Sequence, residues 1–211
     1  MQKFNFPELT AYLAADLYRY EGRVCAKAFF KHFLFTPGFN YTVWLRACVW
    51  ARSGGIGNIL FPFLKWRLLH SRYKYGIAIA ERTPIGPGLF INRFGGIYVH
   101  HDVVIGSNVN ITHGTMLGYM NRGAREGSPV IGNEVFLGSG AKVIGNVRVG
   151  DNAAIGVNAV VTKDVPDNGV AVGLPAKIIG SNGSAGYINR KASAEMIART
   201  GWSGLPPQME E

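Results

Sequence analysis

The chain has 211 residues, of which 28 are glycine and only 17% are charged. Because 47% of the residues are hydrophobic, a disordered chain is excluded, and because the glycines follow no three-residue period, collagen is excluded as well. The formal net charge of +9 comes from 22 basic and 13 acidic side chains. Two cysteines, Cys25 and Cys48, are too few for a disulfide framework and favour a reducing cytoplasm. The sequence shows no secretory signal and no apolar run that would span a bilayer.

The basic charge is concentrated in residues 1–76, which hold 11 Lys or Arg against 3 Asp or Glu and therefore carry +8 of the +9. The spacing of apolar residues predicts helical stretches over Leu9–Leu34, Tyr41–Trp50 and Ile56–Tyr75. The last stretch mixes aromatic and aliphatic residues with cations, which is typical of a solvated helix face, an anionic membrane surface or a nucleic-acid contact. No nucleic-acid motif accompanies the charge, so we expect no nucleic-acid partner and keep a peripheral contact with an anionic membrane open.

From residue 79 onward an aliphatic residue returns every six positions, with two interruptions. In seven cases the next residue is Gly. This period predicts a solenoid in which each hexad forms one flat side of a triangular coil and its aliphatic residue points inward. Three hexads make one coil, and successive coils pair as parallel strands about 4.8 Å apart. The thirteen residues of the series are Ile79, Ile85, Ile91, Ile97, Ile105, Ile111, Leu117, Ile131, Leu137, Val143, Val149, Ile155 and Val161.

The two interruptions of the series indicate where a site is built. One lies between Ile97 and Ile105 and contains His100 and His101, and the other forms an extended loop over residues 118–130. Grouping the hexads by threes predicts that both insertions leave the same corner of the coil, where a loop on a regular solenoid typically forms a binding site. At the corners we expect residues that tolerate a positive φ, among them Asn108, Asn133 and Asn152.

His113 is the first candidate for proton transfer. The coil spacing stacks it above Arg93, in one column with Ser139 and Val157. A neutral imidazole can remove a proton from an alcohol that attacks a thioester, which is general-base catalysis. The alternative is an exposed polar residue with no role in chemistry.

The adjacent residues His100, His101 and Asp102 suggest a metal cluster at first sight. Neighbouring residues of an extended segment point to opposite sides, and no further ligand recurs at a fixed spacing, so we expect no metal here. One of the two histidines can still line the site, and we take His101 as a candidate for binding the acceptor.

Four segments carry a family resemblance: INRFGGIYV at 91–99, ITHGTMLG at 111–118, VIGNEVFLGSGAKVIGNVRVGDNAAIGVNAVVTKDVPDN at 130–168 and VGLPAKIIG at 172–180. Together they resemble the serine-acetyltransferase-like branch of the hexapeptide-repeat acyltransferases. The resemblance implies a left-handed parallel β-helix, a homotrimer, and acetyl-CoA as acetyl donor in the groove between neighbouring β-helices. It places the coenzyme contacts on Ser139, Val157, Thr162, Lys163 and Lys177.

The resemblance does not extend to the family's catalytic positions. The family's base is a histidine in an Asp-His-x-x-Gly element, which is matched here by Asn92 and Arg93, and the aspartate that orients it is matched by Ala78. The Arg-His pair of the extended loop, which helps to recognise serine, is matched by Gly127 and Ser128. These departures predict that free serine is not the acceptor, and they leave Asn92 and Arg93 as candidates for binding the acceptor.

The segment ITHGTMLGYMNRG at 111–123 is similar to acetyltransferases of exopolysaccharide and capsule assembly, some of which have a histidine at the place of His113. We therefore expect an O-acetyltransferase that acts on a hydroxyl of a sugar or lipid-linked saccharide, with His113 as base. Two alternatives stay open, a serine O-acetyltransferase-type enzyme with a small-molecule acceptor and a scaffold that binds coenzyme A without turnover. A further arrangement uses His100 or His101 as the base.

The expected fold is mainly β and has three parts. Residues 1–76 form a basic helical region, residues 77–180 the left-handed β-helix, and residues 181–211 a C-terminal cap or tail with one short helix near Ala192–Arg199. We expect the chain to be a cytoplasmic homotrimer, placed at the inner face of the membrane if the basic helices contact lipid.

Overall fold

The computed structural model describes residues 4–206, and this part of the chain begins with four helices. The first predicted helical stretch is divided by Gly22, which ends its helix in the left-handed conformation with φ of 74°. Asn5 and Glu8 form a capping box at the start, since each side chain accepts the backbone N–H of the other. The helices are α1 (Phe6–Glu21), α2 (Ala26–Phe35), α3 (Pro37–Ala51) and α4 (Ile56–Tyr75).

The helices are followed by short strands that wind around three faces of a coil. The strands are β1 (Ile77–Ile79), β2 (Phe90–Ile91), β3 (Ile97–Val99), β4 (Val104–Ile105), β5 (Asn110–Ile111), β6 (Met116–Gly118), β7 (Val130–Ile131), β8 (Phe136–Leu137), β9 (Lys142–Ile144), β10 (Arg148–Val149), β11 (Ala154–Ile155), β12 (Val160–Val161), β13 (Val170–Gly173) and β14 (Ala176–Gly180). Face 1 contains β4, β7 and β10; face 2 contains β2, β5, β8, β11, β13 and β14; face 3 contains β1, β3, β6, β9 and β12. Strand pairing within the faces is parallel except for the final pair, β13 with β14.

The core of the coil confirms the six-residue repeat. All thirteen aliphatic residues of the predicted series are at most 1% exposed, and they belong to one continuous hydrophobic cluster. The glycine that often follows them is required by close packing between coils. A Cβ built on Gly106 would lie 2.6 Å from the carbonyl oxygen of Gly132 in the next coil, which leaves no room for a side chain.

The prediction that both interruptions leave the same corner is wrong. Val99, not Ile97, pairs with Leu117 in the next coil. The two extra residues therefore precede β3, within 92–94, at the corner between faces 2 and 3, whereas the extended loop leaves the corner between faces 3 and 1. Ile97 and Val99 both point inward because alternate residues of a strand share a side, so counting aliphatic residues cannot distinguish them.

The positive φ angles predicted for three corner residues are confirmed at two of the three positions. Asn108 and Asn152 have positive φ angles of 56° and 55°, as expected. At the third corner the positive φ of 54° falls on Glu134, one residue after Asn133. Asn133 instead accepts the backbone N–H of Ser107 with its side chain (2.9 Å), so it stabilises the turn from the preceding coil.

A buried ion pair joins the helices to the first coil. The Arg46 guanidinium contacts Asp16 (2.9 Å) and donates to the carbonyls of Ile85 and Gly86, each at 2.7 Å. Burial raises the pKa of Asp16, and the Arg46 charge opposes this effect. Arg19 adds a bond to the carbonyl of Asn108 at 2.9 Å. The helical region therefore packs on the solenoid through charged groups whose hydrogen bonds are largely satisfied.

Residues 181–206 return along the solenoid towards the helices instead of capping the last coil. The Ser184 hydroxyl donates to the carbonyl of Glu134 (2.7 Å), and Asn108 donates to the carbonyl of Ala192 (3.1 Å). The short helix expected here is confirmed as α5 (Ala194–Ala198), and Trp202 then packs against the cluster around Phe4. The three-part division of the chain remains a prediction. Within the described residues, no helix combines the length and apolar character needed to cross a bilayer.

Candidate active site

One column of residues follows the corner between faces 2 and 3. The Gly140 N–H donates to the carbonyl of His113 (2.9 Å), and the Asn158 N–H donates to the carbonyl of Ser139 (2.8 Å), so successive members lie one coil apart. The exposed imidazole of His113 has its Nδ1 3.4 Å from the Ser139 hydroxyl. His113 and Ser139 are stacked as the sequence predicts, with Val157 in the next coil.

Arg93 does not lie beneath His113, because the inserted residues shift the register of the first coil. The Gly114 N–H donates to the carbonyl of Gly95 (2.9 Å), so Gly95 occupies the place below His113. Arg93 and Asn92 are exposed in the insertion beside the column. The expected stacking of Arg93 under His113 is therefore wrong, whereas a contact of Asn92 and Arg93 with an acceptor remains a prediction.

The upper end of the column meets the hairpin of β13 and β14. Lys177 is the cross-strand partner of Val172, and the Val172 side chain lies over Gly156, the residue before Val157. Lys177 is exposed, and Val157 is 67% exposed. This end of the column thus combines an open apolar surface with a cation, a combination that suits the pantetheine arm and phosphates of coenzyme A.

Thr162 and Lys163 lie at the other edge of face 3. They follow β12, at the corner from which the extended loop emerges two coils lower, after β6. The loop packs back on this turn, since Arg125 donates to Asp164 at 3.1 Å. Lys163 is exposed beside this ion pair and belongs to a different edge from Lys177.

A cluster of polar side chains fills the base of the extended loop. The rings of His100 and His101 lie 4.1 Å apart, and Asp102 is 3.7 Å and 3.4 Å from their nitrogens. The expectation that the two histidines point to opposite sides is wrong, because the chain turns directly after β3. His100 also places its Nδ1 3.1 Å from the hydroxyl of Ser128.

The contact with Ser128 gives His100 a specific place in the site. By the sequence resemblance, Ser128 occupies the position of the loop histidine that the family uses. Here an imidazole reaches that position from another segment, the corner after β3. Sequence matching compares residues position by position and so missed it, although an adjacent pair of histidines at a solenoid corner was a usable signal.

The extended loop has an ordered base. Met120 and Gly127 exchange two backbone hydrogen bonds of 2.9 Å and 3.1 Å. The Tyr119 hydroxyl donates to Glu126 (3.1 Å), and this bond to a carboxylate raises the pKa of Tyr119. The Tyr119 ring lies 5.2 Å from that of His100, so the loop holds the histidine cluster on one side.

Within one chain, the predicted site residues form two groups at opposite edges of face 3. His113, Ser139, Val157 and Lys177 lie at the edge where the strands begin. His100, His101, Thr162 and Lys163 lie at the edge where the strands end. The width of such a face is on the order of 10 Å, too far for the two histidine groups to act on one atom within a single chain.

Residues 128–163 match a family model described as bacterial transferase hexapeptide (six repeats). This match covers the third and fourth coils, which contain β7 to β12, and agrees with their three parallel faces. Fold and repeat together define a protein of the hexapeptide-repeat transferase class.

Similarity to known proteins narrows the class. A serine acetyltransferase of Helicobacter pylori (strain J99) is 42% identical over 109 residues, or 52% of this chain and 64% of that enzyme. The crystal structure of serine acetyltransferase from Brucella abortus strain S19 matches with a TM-score of 0.70 at 31% identity and covers 84% of this chain and 71% of that chain. The chain belongs to the serine acetyltransferase branch of the hexapeptide-repeat acyltransferase superfamily, and the predicted left-handed β-helix is confirmed.

Two further structures show what relatives bind. The Neisseria gonorrhoeae serine acetyltransferase solved in complex with serine matches with a TM-score of 0.67 at 29% identity, over 83% of this chain and 70% of that one. The Brucella abortus enzyme in complex with coenzyme A matches with a TM-score of 0.66 at 28% identity, over 83% and 67%. The present chain spans 64% of the length of the Helicobacter relative.

These relatives overturn the expected acceptor. The predicted closeness to polysaccharide O-acetyltransferases is wrong, and so is the sugar or lipid-linked saccharide acceptor that it implied, because the matched proteins are serine acetyltransferases. They favour the alternative interpretation, a serine O-acetyltransferase-type enzyme with a small-molecule acceptor. They therefore argue against the prediction that free serine is not the acceptor.

Proposed function

We propose that the chain is an acetyl-CoA-dependent O-acetyltransferase of the serine acetyltransferase type, which acts on the hydroxyl of a small molecule with L-serine as the first candidate. The observation that carries the proposal is the column at the corner between faces 2 and 3. There an exposed imidazole, that of His113, stands 3.4 Å from the Ser139 hydroxyl, on the path to the exposed Lys177.

His113 supplies the base in this proposal. When its Nδ1 carries the hydrogen and donates to Ser139, the Nε2 lone pair faces outward and accepts the proton of the acceptor hydroxyl. The acceptor oxygen then attacks the thioester carbon and the carbon–sulfur bond breaks. The proton on Nε2 passes to the departing thiolate, which returns His113 to its neutral form and completes the balance of protons.

The coenzyme fits the same column. The Brucella relative binds coenzyme A, and the proposed contacts here are Ser139, Val157 and Lys177 on one edge of face 3, with Thr162 and Lys163 on the other. Lys177 and Lys163 provide cations for its phosphates. No metal enters the proposal.

We further propose that the active form is a homotrimer in which each site joins two chains. One chain contributes the His113 column, and the next contributes the edge with His100, His101 and Ser128. His100 then binds the acceptor where the family uses a loop histidine, and His101 adds a second polar contact. In this arrangement the His113 edge of face 3 in one chain meets the His100 edge of face 3 in the next chain across their interface.

Replacement of His113 tests the base. His113→Ala should lower kcat by roughly 10²- to 10⁴-fold, the range typical of a lost general base, while the Kd for coenzyme A stays within about twofold. Thiol release from acetyl-CoA with L-serine and other small hydroxy compounds measures the rate, and calorimetry measures coenzyme binding. His70→Ala is the matched control, because His70 is exposed on α4 and belongs to neither group of site residues.

The same measurements separate the alternatives. If His113→Ala keeps most of the rate and His100→Ala loses it, the base is His100. If coenzyme A binds tightly but no acceptor supports turnover, the chain is a scaffold without activity. Such a loss of activity would follow from having Arg93 and Ala78 in place of the family's catalytic histidine and aspartate. If serine fails and another small hydroxy compound is acetylated, the enzyme class stands and the acceptor changes.

A further inference from the structure

Helix α4 presents an apolar face that the fold does not use. Six large hydrophobic side chains on this helix are between 41% and 83% exposed. They follow the three- and four-residue spacing of one helix side over almost the full length of α4. These residues are Ile56, Ile59, Leu60, Phe63, Trp66 and Tyr73.

The opposite side of α4 supplies all the packing that the fold needs. Gly57, Leu68 and Ser71 are buried, and a Cβ on Gly57 would lie 2.8 Å from the backbone of Ala51, so α3 and α4 touch closely here. The helix thus has one face committed to the protein and one apolar face in contact with solvent.

The charged residues of α4 itself are all basic. The sequence of α4 contains no Asp or Glu. Lys65 is paired with Glu81 at 2.5 Å, whereas Arg67 and Lys74 pair with no acidic side chain in residues 4–206. The Arg67 guanidinium lies between two indole rings, 4.9 Å from Trp44 and 5.8 Å from Trp66.

The end of α2 continues the same surface. The Phe33 ring of α2 lies 5.6 Å from the ring of Trp44, and the Arg67 guanidinium of α4 lies over the same ring, so α2 and α4 both contact this indole of α3. Exposed apolar side chains of α2 near this point are Phe30, Leu34 and Phe35. The sequence of α2 likewise contains no acidic residue.

We propose that the exposed face of α4 binds the surface of an anionic lipid bilayer. Aliphatic side chains enter the interface, Trp66 and Tyr73 lie at the headgroup level, and Arg67 and Lys74 neutralise lipid phosphates. A second copy of the same face is a poor occupant, because a two-fold contact would bring unpaired cations against each other with no acidic partner. The lipid surface satisfies both the apolar stripe and the uncompensated charge.

Vesicle binding tests this assignment on the full chain. We expect sedimentation with vesicles of 70% phosphatidylcholine and 30% phosphatidylglycerol, weak binding to phosphatidylcholine alone, and a loss of affinity as salt rises. Arg67→Gln combined with Lys74→Gln should weaken binding about 30-fold, the effect of two cations near an anionic surface. Ile59→Ser combined with Phe63→Ser should weaken it at least as much.

Matched variants control for charge and for apolar area. Arg82→Gln with Arg122→Gln removes two exposed cations elsewhere. Leu174→Ser with Ile179→Ser removes two exposed apolar groups, one from the turn between β13 and β14 and one from β14. Both double variants should bind vesicles like the parent. Equal losses in the control pairs would overturn the proposal.

Light scattering without lipid supplies the other decisive outcome. If Ile59→Ser with Phe63→Ser lowers the molar mass of the particle in solution, the face is a contact between copies of this chain and the lipid assignment fails. Acetyl transfer to a water-soluble acceptor should be unchanged in the α4 variants, so failure of the lipid proposal and failure of the proposed enzyme function are distinguishable.

Discussion

The chemistry of a single residue here depends on the corner at which the coil presents it. His113 stands on an open column beside a serine, whereas His100 is enclosed by Tyr119, His101 and Ser128. The open imidazole can exchange protons with a diffusing acceptor. The enclosed one is held in one orientation, which suits recognition of a bound group more than repeated proton transfer.

The two cysteines differ in burial, and this difference predicts that their thiols react at different rates. Burial raises the pKa of the Cys48 thiol to about 12, while Cys25 is exposed. A raised pKa leaves almost no thiolate at pH 8, so an aromatic disulfide reagent should titrate Cys25 rapidly and Cys48 only after unfolding. The measurement is the number of thiols that react in native buffer and in urea.

Cys25→Ser serves as the control for thiol labelling. This variant should show no rapid reaction in native buffer and one reactive thiol in urea. Rapid reaction of two thiols in the native protein would mean that Cys48 is accessible and that the packing of α3 on the solenoid is looser than described.

At the scale of elements, the sequence predicts the helices and the core positions of the coils, and it misplaces the register of the first coil. The helices follow from apolar spacing, and the thirteen core positions follow from the hexads, because both patterns are local. The insertion was misplaced because either Ile97 or Val99 could be the residue that pairs with Leu117 in the next coil. Both side chains are buried, so the hydrophobic pattern does not distinguish them. The glycines contain the missing signal: Gly96 and Gly114 have positive φ and stack in neighbouring coils, which fixes the register directly.

The candidate site was predictable where it depends on the repeat and unpredictable where it depends on a turn. Stacking of His113 with Ser139 is a consequence of coil length alone. The approach of His100 to Ser128 depends on the turn after β3 and on the path of the extended loop, which no periodic pattern encodes. The placement of Arg93 beneath His113 has a different cause, which is the misplaced register of the first coil.

The ion pair between Asp16 and Arg46 should determine how firmly the helices attach to the coil. Arg46→Met leaves a buried carboxylate without its partner, and we expect a loss of about 3–5 kcal/mol in the free energy of unfolding. Asp16→Leu combined with Arg46→Met removes both charges and should cost less than the single change, although two carbonyls lose their donor and the Leu89 N–H loses its acceptor. Urea denaturation measures all three proteins.

An exposed ion pair provides the comparison for Asp16 and Arg46. Arg199→Gln breaks the contact with Glu195, one helical turn away on the surface, and should change stability by less than about 0.5 kcal/mol. If Arg46→Met is as mild as Arg199→Gln, the helices do not depend on the buried pair for their attachment.

At the scale of the whole molecule, face 3 separates the two groups of site residues. The strands of this face run from the His113 edge to the His100 edge, so no rearrangement of side chains in one chain brings both groups to one acceptor. The closed trimer proposed above would place the starting edge of face 3 in one chain beside the finishing edge of face 3 in the next chain. The expected particle mass is three times the chain mass of 23.0 kDa.

Mixed trimers test whether each site joins two chains. His113→Ala and His100→Ala should each have low activity at acceptor concentrations below KM, the first through lost proton transfer and the second through weakened acceptor binding. After joint refolding in equal amounts, a site shared between two chains has one chance in four of drawing both intact residues, so roughly a quarter of the parent activity should return. A site contained within one chain would regain nothing, because no chain in the mixture carries both histidines, and simple mixing without refolding should give the same low rate in either case.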